Sequence, residues 1–171
     1  MSEKKALRTL ARGVLLLAIE EIIVFTFLAY VLWQRKILSL NTETFAFSIA
    51  ILFLLIFGYL HLEHGFNILI AQGKYVREGR HGAVNLLRSL VLFVIAWVLT
   101  LISPNERYLL ILLSLVFLIS GIILQLIGNI SLGIGFMQIG KIYAENNLKN
   151  GGSLLISAVI LAVIILSAFI I

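Results

Sequence analysis

FAFSIAILFLLIFGYLHLEHGFNILIA, residues 45–71, decides the fold. From Phe45 to Leu60 it is apolar almost without interruption. The hexapeptide His61-Leu62-Glu63-His64-Gly65-Phe66 then puts three ionisable side chains within four residues. A bilayer crossing needs roughly 20 apolar residues, and ionisable groups inside such a crossing are costly unless something pairs with them. The stretch therefore reads as a membrane helix with polar chemistry near one end.

The rest of the chain agrees with that solvent. Of 171 residues, 61% are hydrophobic and 12% charged, whereas a soluble domain is nearer half apolar and a quarter charged. The longest polar stretches run to about a dozen residues, too short for a separate soluble core. The expected fold is an all-α integral membrane bundle, one transmembrane domain with five spans at about 13–33, 45–71, 83–102, 108–135 and 152–171. Gln34, Arg35 and Lys36 close the first span, with Tyr30 and Trp33 as its interfacial aromatics. Pro104 breaks the turn from Ser103 to Arg107. The basic N-terminus before an apolar run looks like a secretion signal, but Glu20 and Glu21 interrupt the run and no small-residue cleavage site follows. It reads as an anchor.

Orientation follows from Lys and Arg placement. With the N-terminus in the cytoplasm, that side holds Lys4, Lys5, Arg8, Arg12, Lys74, Arg77, Arg80, Arg88, Lys141 and Lys149, and the other holds only Arg35, Lys36 and Arg107. A multi-pass cell-membrane protein is expected.

Several functions are excluded or weakened by composition. There is no cysteine, hence no disulfide, thiolate metal site or cysteine nucleophile. No Gly-x-Ser-x-Gly, phosphate loop or His-Glu-x-x-His is present, and no enzymatic activity is expected. The basic residues are dispersed around apolar spans, so nucleic acid is not an expected partner. Lys74, Arg77, Arg80 and Arg88 could meet anionic lipid head groups, but simple positive-inside anchoring is the preferred reading.

Glycines set the expected packing. Ser114, Gly121, Gly128 and Gly135 recur every seven residues, and Gly58 and Gly65 repeat the spacing. Small residues at one heptad position let another helix approach closely, here with a left-handed crossing, so the second and fourth helices are expected to be central. A shift of seventy residues carries Gly58, Gly65, Phe66 and Gly82 onto Gly128, Gly135, Phe136 and Gly152. That suggests two parallel hairpin repeats, from the second span to the third and from the fourth to the fifth, with the first helix added.

Gly135-Phe136-x-x-Ile139-Gly140-x-x-Tyr143, followed by Leu148-x-x-Gly151-Gly152-x-Leu154-Leu155, resembles a recurring pattern in archaeal multispanning proteins catalogued as domain of unknown function family 973. Gly65-Phe66-x-x-Leu69 and Gly79-x-x-Gly82 resemble its first half, so the similarity runs from about Phe45 to the C-terminus. It implies an archaeal multipass membrane protein and no particular activity. His61, Glu63 and His64 are not part of the pattern.

The candidate site is the intramembrane cluster Glu20, Glu21, His61, Glu63 and His64. His61 and His64 share a helical face and Glu63 points elsewhere. Helical rise brings the glutamates of the first span to the depth of the histidines of the second. Three readings follow. A Glu–His pair could fix the packing of the two helices. A proton or ion path could run through the cluster, extended by Gln125 and Asn129. His61 and His64 with one Glu could form a weak metal or haem site, although no cofactor is expected. The leading function is a non-catalytic subunit that packs against other membrane proteins or itself. A small transporter or proton/ion-conducting protein is the alternative, and a membrane redox or metal-binding protein the third.

Overall fold

The computed structural model describes residues 2–33, 42–102 and 108–168. They form five helices and, among the described residues, no strand: α1 (Glu3–Trp33), α2 (Thr42–Ala71), α3 (Arg77–Ile102), α4 (Tyr108–Ile142) and α5 (Asn146–Ala168). Four of them, α2 to α5, are long and apolar enough to cross a membrane. The expected connection after Trp33 and the Pro104 turn lie outside the described residues.

The helices run beyond the apolar stretches at their basic ends. α1 takes in Lys4, Lys5, Arg8 and Arg12, α3 takes in Arg77 to Gly82, and α4 continues to Ile142. An apolar run marks where lipid is. Helical bonding continues past it because backbone groups near hydrocarbon must stay paired.

Two helices end alike. At α2 the Lys74 amide donates to the Leu69 carbonyl (3.0 Å) and the Gly73 amide to Ile70 (2.9 Å), with Gly73 at φ 76°. This is a Schellman cap with glycine at its left-handed position. At α4 the Glu145 amide donates to Gly140 (2.9 Å) and Ala144 takes the left-handed position at φ 53°. A Cβ there costs about 1–2 kcal/mol.

Among the described residues, helix backbones pack only on their neighbours in the chain: α1 on α2, α2 on α3, α3 on α4 and α4 on α5. The α3–α4 pair is the most extensive. The glycine heptad of α4 faces α3 along its whole length. A methyl on Gly121 would fall 2.7 Å from Phe93, on Gly128 2.8 Å from Leu86, and on Gly135 2.6 Å from the Gly79 nitrogen. Gly82 meets Leu132 and the Gly128 carbonyl. Ser89 Oγ lies 3.3 Å from Gln125 Oε1, and Thr100 Oγ1 lies 2.9 Å from Ser114 Oγ. Each step up α3 in these pairs is matched by an equal step down α4. The register holds from Gly79 to Thr100, on the order of 30 Å at helical rise, which is the thickness of the hydrocarbon layer.

At the end away from the basic residues the seam is fastened by hydrogen bonds. Ser114 donates to the Ala96 carbonyl of α3 (2.8 Å), which Thr100 also reaches (2.9 Å). A second face of α4 receives α5. A methyl on Gly133 would lie 2.7 Å from the Gly152 oxygen, and one on Gly140 2.6 Å from the Lys149 nitrogen. α2 and α4 are thus each flanked on two sides, but they meet one another only through side chains. Phe66 and Phe136 stack obliquely with centroids 5.9 Å apart, and Phe66 fills the space beside Gly79. Farther from the basic end α2 and α3 leave between them an apolar crevice of about 330 Å³, walled by Leu52, Phe93 and Trp97.

Candidate functional site

The first two helices place the candidate glutamates and histidines. On α1, Ala6, Gly13 and Glu20 occupy one heptad position, and Leu10 and Leu17 another. Gly13 sits where a methyl would be 2.9 Å from the Gly58 oxygen and from Leu62. A methyl on Gly58 would fall 2.7 Å from Leu17, and one on Gly65 2.6 Å from Leu10. The heptad that brings Ala6 and Gly13 against α2 carries Glu20 to the same stripe, and Glu20 is buried, 9% exposed. Its neighbour Glu21, turned 100° away on the helix, is exposed.

On α2, His61 is half-buried and donates Nδ1–H to the Phe57 carbonyl of its own helix (2.8 Å). Glu63 is half-buried and accepts from Asn67 Nδ2 (3.2 Å). His64 is exposed. Among the described residues no hydrogen bond or ion pair joins either glutamate of α1 to either histidine. The glycine seam sets the register: Leu10 lies against Gly65 and Leu17 against Gly58, so Glu20 stands opposite the level of Leu55, roughly 9 Å along the axis from His61 and farther from His64. The register thus separates the carboxylates from both histidines.

Tyr59 is a group of α2 on which these two carboxylates act at a distance. It is 7% exposed and lies within electrostatic range of both Glu20 and Glu21. In the sequence it reads as one more bulky side chain beside Gly58. A signal was available: the seventy-residue shift sets Tyr59 on polar Asn129. On the other hairpin Gln125 is engaged with Ser89, whose hydroxyl also donates to the Leu86 carbonyl at 2.7 Å. Asn129 is half-buried. Gln125 thus belongs to the α3–α4 seam. Among the described residues no three His, Asp or Glu side chains converge in a metal-binding group.

A second set of polar groups gathers where α1 begins and the α2–α3 and α4–α5 connections lie. Glu3 Oε1 and Lys74 Nζ form an ion pair at 3.0 Å, and Lys74 Nζ stands 5.8 Å from the Tyr143 ring centroid. The side chains are 31% and 46% exposed, Lys74 and Glu3 respectively, so water screens the pair and its contribution is modest. The hydrogen bond to Glu3, and then its charge, raises the Lys74 ammonium above its ordinary range. Burial and then the Glu3 charge raise the Tyr143 phenol, with Lys74 opposing, so the hydroxyl stays protonated. Glu3 acts on it through space, because the buried Tyr143 hydroxyl has no hydrogen-bond partner. The buried Gln138 Oε1 has none either. Gln138 lines an open groove of about 340 Å³ together with Gly73, Lys74, Tyr75, Lys141 and Ile142. Arg77, Arg80 and Arg88 are exposed and do not line it.

No curated protein and no solved structure matches the chain. A family model described as "Protein of unknown function (DUF973)" matches residues 3–171, which takes in α1 as well as the part whose glycine pattern resembled that family. The chain belongs to the DUF973 family of proteins of unknown function.

Proposed function

We propose that this protein is a non-catalytic integral membrane subunit that acts by lateral association, with other membrane proteins or with a second copy. One observation carries the reading. Glu21 stands exposed on α1, tied to no other described residue by a hydrogen bond or ion pair. A carboxylate at the centre of a membrane helix costs about 2.5–3.5 kcal/mol even on the lenient insertion scale, and such groups normally face a bundle interior or water. A partner helix that supplies a donor turns this outward face into an interior one.

The reading takes α1 as a fifth span, with the N-terminus in the cytoplasm as the Lys and Arg distribution favours. It also takes the chain as an internal repeat with a frame different from the one glycine spacing alone suggests. Gly13 faces Gly58 and Leu62 as Gly82 faces Gly128 and Leu132, and Gly58 faces Leu17 as Gly128 faces Leu86. These correspondences favour the α1–α2 and α3–α4 hairpins as the units, with α5 beginning a third.

The test is mass measurement of the protein extracted in mild detergent, beside Glu21→Leu. The wild-type chain is expected as an oligomer or with bound membrane subunits, and the variant as a folded monomer. A wild-type chain that is monomeric and alone overturns the reading. A second reading, a small proton- or ion-conducting protein, has its own support in buried Glu20 within electrostatic range of buried Tyr59. It requires a proteoliposome flux that Glu20→Gln abolishes.

A further inference from the structure

We infer that the crevice between α2 and α3 holds one acyl chain of a membrane lipid, inserted from the leaflet away from the basic end. Its depth is the first ground. The crevice has two parts, of about 330 and 390 Å³, which share Leu52, Leu90 and Val94 as walls. On α3 its lining runs from Trp97 to Leu87, and on α2 from Ser48 to Ile56. The α3 stretch rises about 15 Å, half of the roughly 30 Å of hydrocarbon in a bilayer. The crevice thus has the depth of one leaflet. It begins at Trp97, a side chain suited to the headgroup level, and close to the bond between Thr100 and Ser114. It stops where Tyr59, Ala83 and Leu86 are buried.

The sequence keeps the crevice open. Residues 47–57 of α2 and 83–102 of α3 contain no glycine, so bulky side chains hold the two axes apart. At the basic end Gly79 admits Phe66 and the helices draw together. Beyond it the large side chains of α3 are committed to its other neighbour. Leu86 lies against Gly128 of α4, and Phe93 against Gly121. Neither can swing into the gap without uncovering a glycine.

Size selects the occupant. An apolar cavity stays free of water, and left empty it forfeits dispersion contacts along its walls. A helix about 10 Å across and 15 Å long takes up about 1,200 Å³, more than both parts of the crevice together. A partner helix therefore cannot enter. An acyl chain is thin and is already present at that depth. The lower part is lined only by Leu, Ile and Val side chains, which suits methylene groups. The inference needs α2 and α3 to be embedded in a membrane. It does not need the lateral-association role, which the mass measurement tests separately.

Photolabelling tests the assignment. The full chain is reconstituted in phosphatidylcholine bilayers containing a phosphatidylcholine with a diazirine midway along one acyl chain, and adducts are mapped by peptide mass spectrometry. Ile119 and Ile123 of α4 serve as comparators. The register that sets Phe93 on Gly121 and Ser89 beside Gln125 brings them to the depth of Val94 and Leu90. They are 49% and 50% exposed, whereas Leu52 and Leu90 are half-buried. Lipid that merely surrounds the protein labels by exposure and favours the comparators. A resident chain reverses the order, and Leu52 and Leu90 are expected to be labelled severalfold above Ile119 and Ile123. Val94→Phe, which adds bulk to a wall shared by both parts, is expected to remove that excess and leave the comparators unchanged. Labelling that follows exposure, or an excess that survives Val94→Phe, overturns the proposal. Unlabelled Leu52 and Leu90 beside labelled comparators also overturn it, assigning the mouth of the crevice to a protein partner.

Discussion

Gly151 and Gly152 are adjacent on α5, and methyl groups added to them should have opposite effects. At Gly151 an added Cβ meets nothing within 4 Å. Alanine there gains only helix propensity, about 0.5–1 kcal/mol over glycine. At Gly152 the same Cβ would fall 2.8 Å from Met137 Cγ and 2.9 Å from the Met137 nitrogen, with the Gly133 carbonyl oxygen also in conflict. Carbon contacts are comfortable at about 3.5–4.0 Å, so α5 has to withdraw by about 0.6–1 Å. The Gly133 and Met137 backbone groups cannot swing aside as a side-chain tip would. A gap of that size forfeits a quarter to a half of each dispersion contact around it, and overpacking of this kind costs about 1–3 kcal/mol. After the propensity gain is subtracted, Gly152→Ala should destabilise by about 1–2 kcal/mol. The two variants should thus differ by about 2–3 kcal/mol. Reversible unfolding in mixed micelles by SDS titration, followed by circular dichroism, measures the difference. Equal shifts, or a larger loss at Gly151, would refute the α4–α5 packing on which the reasoning rests.

Further outcomes are expected elsewhere in the bundle. Ser114→Ala removes the hydroxyl that crosses to the Ala96 carbonyl and should cost about 0.6–1.7 kcal/mol in the same unfolding assay. Ala144→Gly relieves a left-handed residue at φ 53° and should stabilise by about 1 kcal/mol, read as a higher melting temperature. Lys74 is raised above its ordinary value of 10.5 by its bond to Glu3. A raised ammonium contributes stability that is fully present below the unfolded value and is lost as pH rises through the folded one. A small stability gap between wild type and Glu3→Gln should therefore be present near neutral pH and close well above pH 10.5. A gap that persists at high pH would contradict the pairing.

How much was legible in the sequence depends on what each signal encodes. Apolar length encodes the solvent, so the helices and four of the spans were readable, while helix ends were not, because helical bonding continues through the basic residues at the interface. The Ser114 to Gly135 heptad was readable as a seam because its members are small. Its partner on α3 was not, because Gly79, Leu86, Phe93 and Thr100 have the same spacing but share no size or polarity. Side chains that interdigitate with glycines have no reason to resemble one another. The offset between Glu20 and His61 was not readable, because counting residues from the two basic ends does not give the register that Leu10 on Gly65 and Leu17 on Gly58 set. Lys74 and Glu3 lie far apart in sequence at opposite ends of a hairpin, and only the register of α1 on α2 brings them to 3.0 Å.

Neighbour-only packing has a consequence for how the chain is made. The α3–α4 register uses no residue from α1, α2 or α5 in its glycine contacts except Phe66, which touches Gly135 at the basic end. The tightest interface is therefore complete once those two helices share a bilayer, before α5 has been inserted. Contacts between consecutive helices keep contact order low, the condition under which chains assemble quickly. Biosynthesis can proceed hairpin by hairpin, each closing its own seam as it emerges, and an insertion error in one hairpin leaves the internal seam of the other intact.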